Sequence, residues 1–197
     1  MKFVLASKNP NKLREMREIL EKMGVEVVSE AEVGVDLEVE ETGKTFEENS
    51  ALKAHAVMEA AGLPAIADDS GLMVEALDGA PGVYSARYGG PELDDAGRYR
   101  LLLQGLSGQL NRRAKFVSTI CCAFPGGGDI TARGECPGTI AYAPQGENGF
   151  GYDPVFFLPQ LKKTFAQLSH DEKNAISHRG NAMREFEAKL KDYLETL

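Results

Sequence analysis

Hydrophobic and polar positions change period several times along the chain, and each change marks an element. Lys2 to Ser7 (KFVLAS) is apolar at consecutive positions, as in a strand covered on both faces. Asn9 and Pro10 then read as an N-cap and a first helical residue. Leu13, Met16, Leu20 and Met23 recur at helical spacing and predict a helix that stops at Gly24. Val25 to Ser29 (VEVVS) is a second strand, and an acidic loop from Asp36 to Lys44 follows it. Thr45 with Glu48 predicts a capping box, opening a helix that runs to about Gly62.

Further on, Ala65 to Asp69 reads as a buried strand ending at Asp68 and Asp69, with a separate short strand from Leu72 to Leu77. Residues 79–90 form a Gly/Pro-rich loop, and residues 94–106 are helical. Arg113 to Phe124, a turn at Gly126–Gly128 and Asp129 to Glu135 predict a hairpin, continued by Gly138 to Ala143. A glycine-rich loop enters a strand near Phe156. Ser169 with Glu172 repeats the capping pattern. A last helix carries Met183, Phe186, Leu190, Tyr193 and Leu197 on one stripe. Early alternation of strand and helix and a later meander predict an α/β fold with a mixed sheet. No repeat, low-complexity tract or linker interrupts the 197 residues.

Composition narrows the function classes. Net charge is −8 with no long basic run, which argues against non-specific binding to nucleic acid. The longest apolar runs are too short to span a bilayer, and the first residues turn polar too soon for a signal peptide. The expectation is a soluble, intracellular, cytoplasmic protein. Cys121, Cys122 and Cys136 cannot all pair, and they read as buried thiols in a reducing compartment. Cys121 and Cys122 fall on opposite faces of a strand. With three histidines and no CxxC, a zinc site is not expected.

Five stretches could carry chemistry. Ser7-Lys8-Asn9-Pro10-Asn11-Lys12 lies between a buried strand and a helix N-terminus, a place suited to phosphate, although it also fits an ordinary capped connection. Glu40 and Glu41 precede the helix on which Asn49 and Lys53 share a face, which is equally a solvated acidic loop beside a surface lysine. Asp68 and Asp69, with Ser70 and Gly71, suit a hard cation or a turn capped by one carboxylate. Two carboxylates ending an apolar run need something to offset their charge. Phe150, Gly151, Tyr152 and Asp153 combine glycines with aromatic rings that stack on a base or simply fill a core. Lys173, Ser177, His178 and Arg179 gather near a helix start, where they suit an anion or a base edge.

Together these stretches resemble the inosine/xanthosine triphosphate pyrophosphatases, which remove non-standard purine nucleotides. The motifs SKNPNK, EETGKTFEENSALKA, PAIADDSGL, GAPGVYSARY, GFGYDP and EKNAISHRG stand in that family's order from residue 5 to residue 180. One departure is local: the family often has Thr-Gly-Asn where this chain has Ser7-Lys8-Asn9. The resemblance implies magnesium-dependent release of pyrophosphate from inosine, deoxyinosine or xanthosine triphosphate. It implies that Ser7 to Lys12 and Lys53 hold the triphosphate. Asp69 would bind magnesium and act as, or position, the general base, with Glu41 as a second metal-side carboxylate. Ser70 would contact substrate, and Phe150 to Asp153, Lys173, His178 and Arg179 would surround the nucleoside. On this reading magnesium and phosphate offset the carboxylates, so that Asp68 and Asp69 need no lysine of their own. The implied fold is one domain, residues 1–197, with an elongated mixed sheet, flanking helices and two lobes separated by an active-site cleft; a homodimer is also implied. Two alternatives are a Maf-like pyrophosphatase, whose Ser-x-Ser-x-x-Arg start is not matched here, and a nucleotide-binding regulator without turnover, which would not need Glu41 and Asp69.

Overall fold

The computed structural model describes residues 1–196, without the side chains of residues 11 and 15. Leu197 and the side chain of Asn11, both singled out above, lie outside the described residues. Seven strands form one mixed sheet in the order β2-β1-β3-β4-β5-β6-β7. They are β1 (Lys2–Leu5), β2 (Glu26–Ser29), β3 (Ala65–Val74), β4 (Arg113–Ala123), β5 (Asp129–Ile140), β6 (Phe156–Leu158) and β7 (Lys163–Thr164). The helices are α1 (Pro10–Leu20), α2 (Phe46–Ala61), α3 (Asp95–Gly105), α4 (His170–Ile176) and α5 (His178–Leu194). β1 pairs in parallel with β2 and β3, and β6 pairs antiparallel with β5 and β7.

The chain divides into two compact units. The first comprises Met1–Asp69, Thr119–Arg133 and the chain from Ala182 onward; the second comprises Ser70–Ser118 and Gly134–Asn181. β3, β4 and β5 each contribute residues to both. In the first unit, side chains from alternate strand positions enter two separate cores. Phe3, Leu5, Ile66 and Cys122 pack with Met16 and Leu20 of α1 and with Met183, Phe186 and Leu190 of α5. Val4, Ala6, Ala65, Ala67 and Cys121 pack with Ala54 and Val57 of α2. The adjacent cysteines therefore do face opposite ways, and all three are free and buried. The second unit has its own core, in which Leu72, Val74, Phe116, Tyr152, Phe156 and Phe165 meet.

Three expectations need correction. Asp68 and Asp69 do not end a strand: β3 runs through them for ten residues. Asp-Asp-Ser-Gly reads locally as a turn, but buried residues on both sides, Ala65–Ala67 and Gly71–Leu72, hold the backbone extended. Residues after it form a short 3-10 turn, Glu75–Leu77, in place of the far end of the expected second strand. The Thr45 cap is present, accepting the Glu48 N–H at 3.1 Å, but the Glu48 carboxylate accepts from the Lys44 N–H at 2.6 Å instead of closing the box. The box at Ser169 and Glu172 is complete. Among the described residues, no helix is long and apolar enough to cross a membrane.

Candidate active site

The first unit gathers Lys8, Lys12 and Lys53 with Asp36, Glu41, Asp68 and Asp69. β1 delivers the chain to α1 through Ser7 and Asn9. Ser7 Oγ accepts the Asn9 N–H at 3.2 Å, and Asn9 Oδ1 accepts the Lys12 N–H at 3.4 Å, so Asn9 caps the helix that Pro10 opens. The helix start is thereby held with its positive dipole end beside Lys8 and Lys12. Lys8 is exposed and pairs with Asp36 at 2.9 Å, an interaction that raises the Lys8 ammonium and lowers the Asp36 carboxyl from their ordinary values. Lys8 and Lys53 both line a cavity of about 550 Å³, within the range of small-ligand sites.

Alternation along β3 decides which lysine meets which aspartate. Asp68 shares parity with Ile66, whose face carries α1, and Lys12 Nζ of α1 lies 2.7 Å from Asp68 Oδ1. Asp69 shares parity with Ala65 and Ala67, whose face carries α2. There Lys53 Nζ lies 3.9 Å from Asp69 Oδ1, donates to Glu41 Oε1 at 2.8 Å and donates to the Asp68 carbonyl at 2.8 Å. The expectation that the aspartates need no lysine of their own is overturned: each has one, from a different helix. A magnesium ion would fit the Glu41 and Asp69 pair, because these carboxylates already converge on a single cation, the Lys53 ammonium. Among the described residues, no cluster of three or more His, Cys, Asp or Glu side chains is arranged to hold a metal. A pair of carboxylates suits magnesium, which takes its remaining ligands from phosphate and water.

The second unit gathers the aromatic and cationic groups around a turn after β5. Asp153 is buried, and its Oδ2 accepts the Phe150 N–H at 3.0 Å and the Lys173 ammonium at 2.5 Å. Burial raises its pKa from the ordinary aspartate value, against the opposing pull of Lys173. Gly149, at φ 77°, is needed here twice: the backbone is left-handed, and a Cβ would collide with the Asp153 carboxylate. The turn leaves the Phe150 ring 62% exposed, with Lys173 Nζ 4.8 Å and Arg179 Cζ 5.7 Å from its centroid. Arg179 Nε is buried and has no hydrogen-bond partner among the described residues.

Tyr152 does not join this surface. Its ring lies in the core and its hydroxyl donates to the Ser85 carbonyl at 2.8 Å, so the stacking role fits Phe150 alone. His178 opens α5 with its ring stacked on Phe116, centroids 4.7 Å apart. Ser70 and Gly151 stand half-buried, Ser70 next to Asp69 and Gly151 next to Phe150. One residue that sequence reasoning missed is Asp95. Its Oδ2 accepts the Gly151 N–H at 2.8 Å, so the start of α3 holds the Phe150 turn from outside. An acidic residue in a helix's first turn was the available signal, but 56 residues separate the partners.

The first unit thus pairs lysines with carboxylates around β3, and the second sets an exposed ring beside two cations, groups of the kinds that meet phosphate and aromatic rings. Comparison makes the class specific. Residues 3–189 match the Ham1 family, and the chain belongs to it. It is 51% identical over 195 residues to a dITP/XTP pyrophosphatase of Exiguobacterium sp., covering 99% of this chain and 100% of that protein. The Bacillus subtilis dITP/XTP pyrophosphatase is 47% identical over 183 residues, 92% of each chain. Among solved structures, the Staphylococcus aureus Ham1 protein superimposes with a TM-score of 0.91 at 43% identity, covering 100% of this chain and 99% of that one. A HAM1 protein from Coxiella burnetii gives 0.92 at 41% identity, covering both chains fully.

Proposed function

We infer that this protein hydrolyses non-standard purine nucleoside triphosphates, those of inosine, deoxyinosine and xanthosine, to the monophosphate and pyrophosphate. The observation that carries the reading is end-to-end similarity to dITP/XTP pyrophosphatases, 51% over 195 residues in one case. The reading includes magnesium as cofactor, a homodimer and a cytoplasmic location. It also treats residues 1–197 as one functional domain.

Ser7 to Lys12 and Lys53 hold the triphosphate in this proposal. The Lys12–Asp68 and Lys53–Glu41 contacts support it, because each is an ion pair that a polyanion can exchange for its own oxygens. Glu41 and Asp69 would hold magnesium, whose chemistry there would be charge neutralisation at the phosphates. Asp69 accepts a proton from the water that attacks the α-phosphorus, and the lysines stabilise charge on the departing pyrophosphate. Phe150 offers its exposed face to the base, while Lys173, His178 and Arg179 supply donors around it; Ser70 and Gly151 complete the substrate contacts, and Tyr152 and Asp153 support the turn from within.

The test is release of pyrophosphate from inosine triphosphate by the purified protein, with and without magnesium. Metal-dependent release is expected. Binding without release would identify a nucleotide-binding regulator, and release only from other nucleotides would favour the Maf-like alternative.

A further inference from the structure

We propose that Asn49 is a positioning residue for Glu41: it ties down the acidic loop so that the Glu41 carboxylate faces Asp69 across Lys53. The proposal rests on the roles of Glu41 and Asp69 given above. Asn49 is the fourth residue of α2 and fully buried. A buried amide in a helix's first turns is costly unless it replaces a bond the backbone lacks. Its Oδ1 accepts the Gly43 N–H at 2.8 Å, six residues back and two residues beyond Glu41. Its Nδ2 is buried and has no hydrogen-bond partner among the described residues. The function of the side chain therefore lies in the oxygen.

Gly43 is shaped to this contact. It does not have a positive φ, so conformation alone does not demand glycine there. Space does: a Cβ would sit 2.5 Å from Asn49 Oδ1 and 2.7 Å from Glu48 Cβ. The loop is bonded to α2 again by the Lys44 N–H to Glu48 carboxylate contact at 2.6 Å. One turn further along the same face, Lys53 reaches Glu41 at 2.8 Å and the Asp68 carbonyl at 2.8 Å. Asn49 and Lys53 thus hold the loop by its backbone and by its carboxylate. Lys53 alone is a flexible tether that phosphate competes for; Asn49 is not exposed to substrate and keeps its bond when the lysine is drawn away.

The experiment compares wild type with Asn49→Ala, Asn49→Asp and Gly43→Ala. Hydrogen exchange of the Gly43 amide is followed by NMR, and the magnesium concentration giving half-maximal pyrophosphate release is measured at saturating inosine triphosphate. Asn49→Ala is expected to speed Gly43 exchange at least tenfold and to raise the half-saturating magnesium about tenfold, with KM for the nucleotide at saturating magnesium changed less than twofold. Asn49→Asp keeps an acceptor for the Gly43 N–H but places a carboxyl in a fully buried position, so it should restore Gly43 protection while lowering stability. Should Asn49→Ala fail to fold, Gly43→Ala carries the same comparison, with the same two shifts expected. Unchanged Gly43 exchange overturns the positioning role whatever the activity. Lowered stability with unchanged magnesium dependence also overturns it, leaving Asn49 a packing residue. Absence of pyrophosphate release from the wild type is a failure of the functional reading, and Gly43 exchange then decides the Asn49 proposal by itself.

Discussion

Lys12 Nζ of α1 lies 2.7 Å from Asp68 Oδ1 in the middle of β3, with the aspartate side chain 8% exposed and the lysine 25%. Asp69, the next residue, turns to the other face and to Lys53. Adjacent carboxylates that look like one acidic pair are thus two half-sites. Each is charge-matched by a different helix, and the two lysines bring positive charge to the strand from both sides.

The pair predicts a coupling in stability. Removing one partner of a buried ion pair costs about 3–5 kcal/mol, and the partial exposure of Lys12 brings the expected loss for Lys12→Met to about 2 kcal/mol. Adding Asp68→Asn should recover about 1 kcal/mol of it. Urea unfolding of the two single variants and the double variant measures the coupling. Additive losses would show that the contact contributes nothing as a pair.

Asp69→Asn is expected to lower kcat about 10²- to 10⁴-fold, the usual contribution of a positioned general base, while the protein melts within a few degrees of wild type. Asp68→Asn should show the reverse weighting, with a larger loss of stability and a smaller loss of turnover, because its carboxylate is the one engaged with Lys12. Pyrophosphate release and thermal unfolding of both variants test the ordering. Near-normal turnover by a folded Asp69→Asn protein would remove Asp69 from the chemistry.

These two residues also mark what can be read from the chain alone. The cap at Thr45 forms without its box, whereas the helical stripe of Leu13, Met16 and Leu20 and the capping box at Ser169 depend on neighbours within a few residues and appear in the structure as the pattern predicts. The path of β3 through Asp-Asp-Ser-Gly does not, because strand pairing overrides the local turn chemistry. Lysine partners are further out of reach, since they depend on which helix covers which face. Lys12 and Asp68 are 56 positions apart, as are Asp95 and Gly151. Tyr152 and Phe150 carry similar rings two positions apart, yet one is core and the other 62% exposed; their alternation across the turn is a tertiary outcome.

Asp153 should titrate above the ordinary aspartate value of 3.8, since burial outweighs the pull of Lys173. A carboxyl whose folded pKa is raised favours the folded state when protonated. Its contribution to stability is therefore full below the unfolded value and is lost as pH rises through the folded one. Lys173→Met removes the largest opposing influence and should move the Asp153 midpoint further up. Carbon NMR of the Asp153 carboxyl follows both midpoints; a fall on losing Lys173 would contradict the balance of burial and charge described here.

Asp95 holds the Phe150 turn only through the Gly151 N–H, and its own side chain is 58% exposed. Asp95→Ala should cost less than about 1 kcal/mol of stability, as an exposed hydrogen bond does. Its effect should fall instead on KM for inosine triphosphate, which is expected to rise several-fold as the ring loses its fixed orientation. Asp95→Asn retains an acceptor and should lie near wild type. Equal KM values for all three proteins would leave the turn fixed by Asp153 alone.

Base choice tests the arginine beside that ring. Hypoxanthine, xanthine and guanine carry a carbonyl at position 6 where adenine carries an amino group. A donor facing position 6 therefore accepts the first three and opposes adenine. Guanine differs from the other two at position 2, where its amino group would meet a second donor unfavourably. Arg179 is suited to such a role: its guanidinium lies 5.7 Å from the exposed Phe150 centroid, and its buried Nε has no hydrogen-bond partner among the described residues. Leaving a buried donor unpaired can cost roughly 10⁴-fold in kcat/KM. Strong preference for inosine and xanthosine triphosphates over adenosine and guanosine triphosphates is expected, with Arg179→Ala losing activity on the preferred pair and narrowing the gap. His178→Ala should act more through packing, because its ring is buried against Phe116, and so lower stability as well as activity. Measuring kcat/KM for the four triphosphates in all three proteins separates these effects. Comparable values for guanosine and inosine triphosphates in the wild type would overturn the donor scheme even where pyrophosphate release is intact.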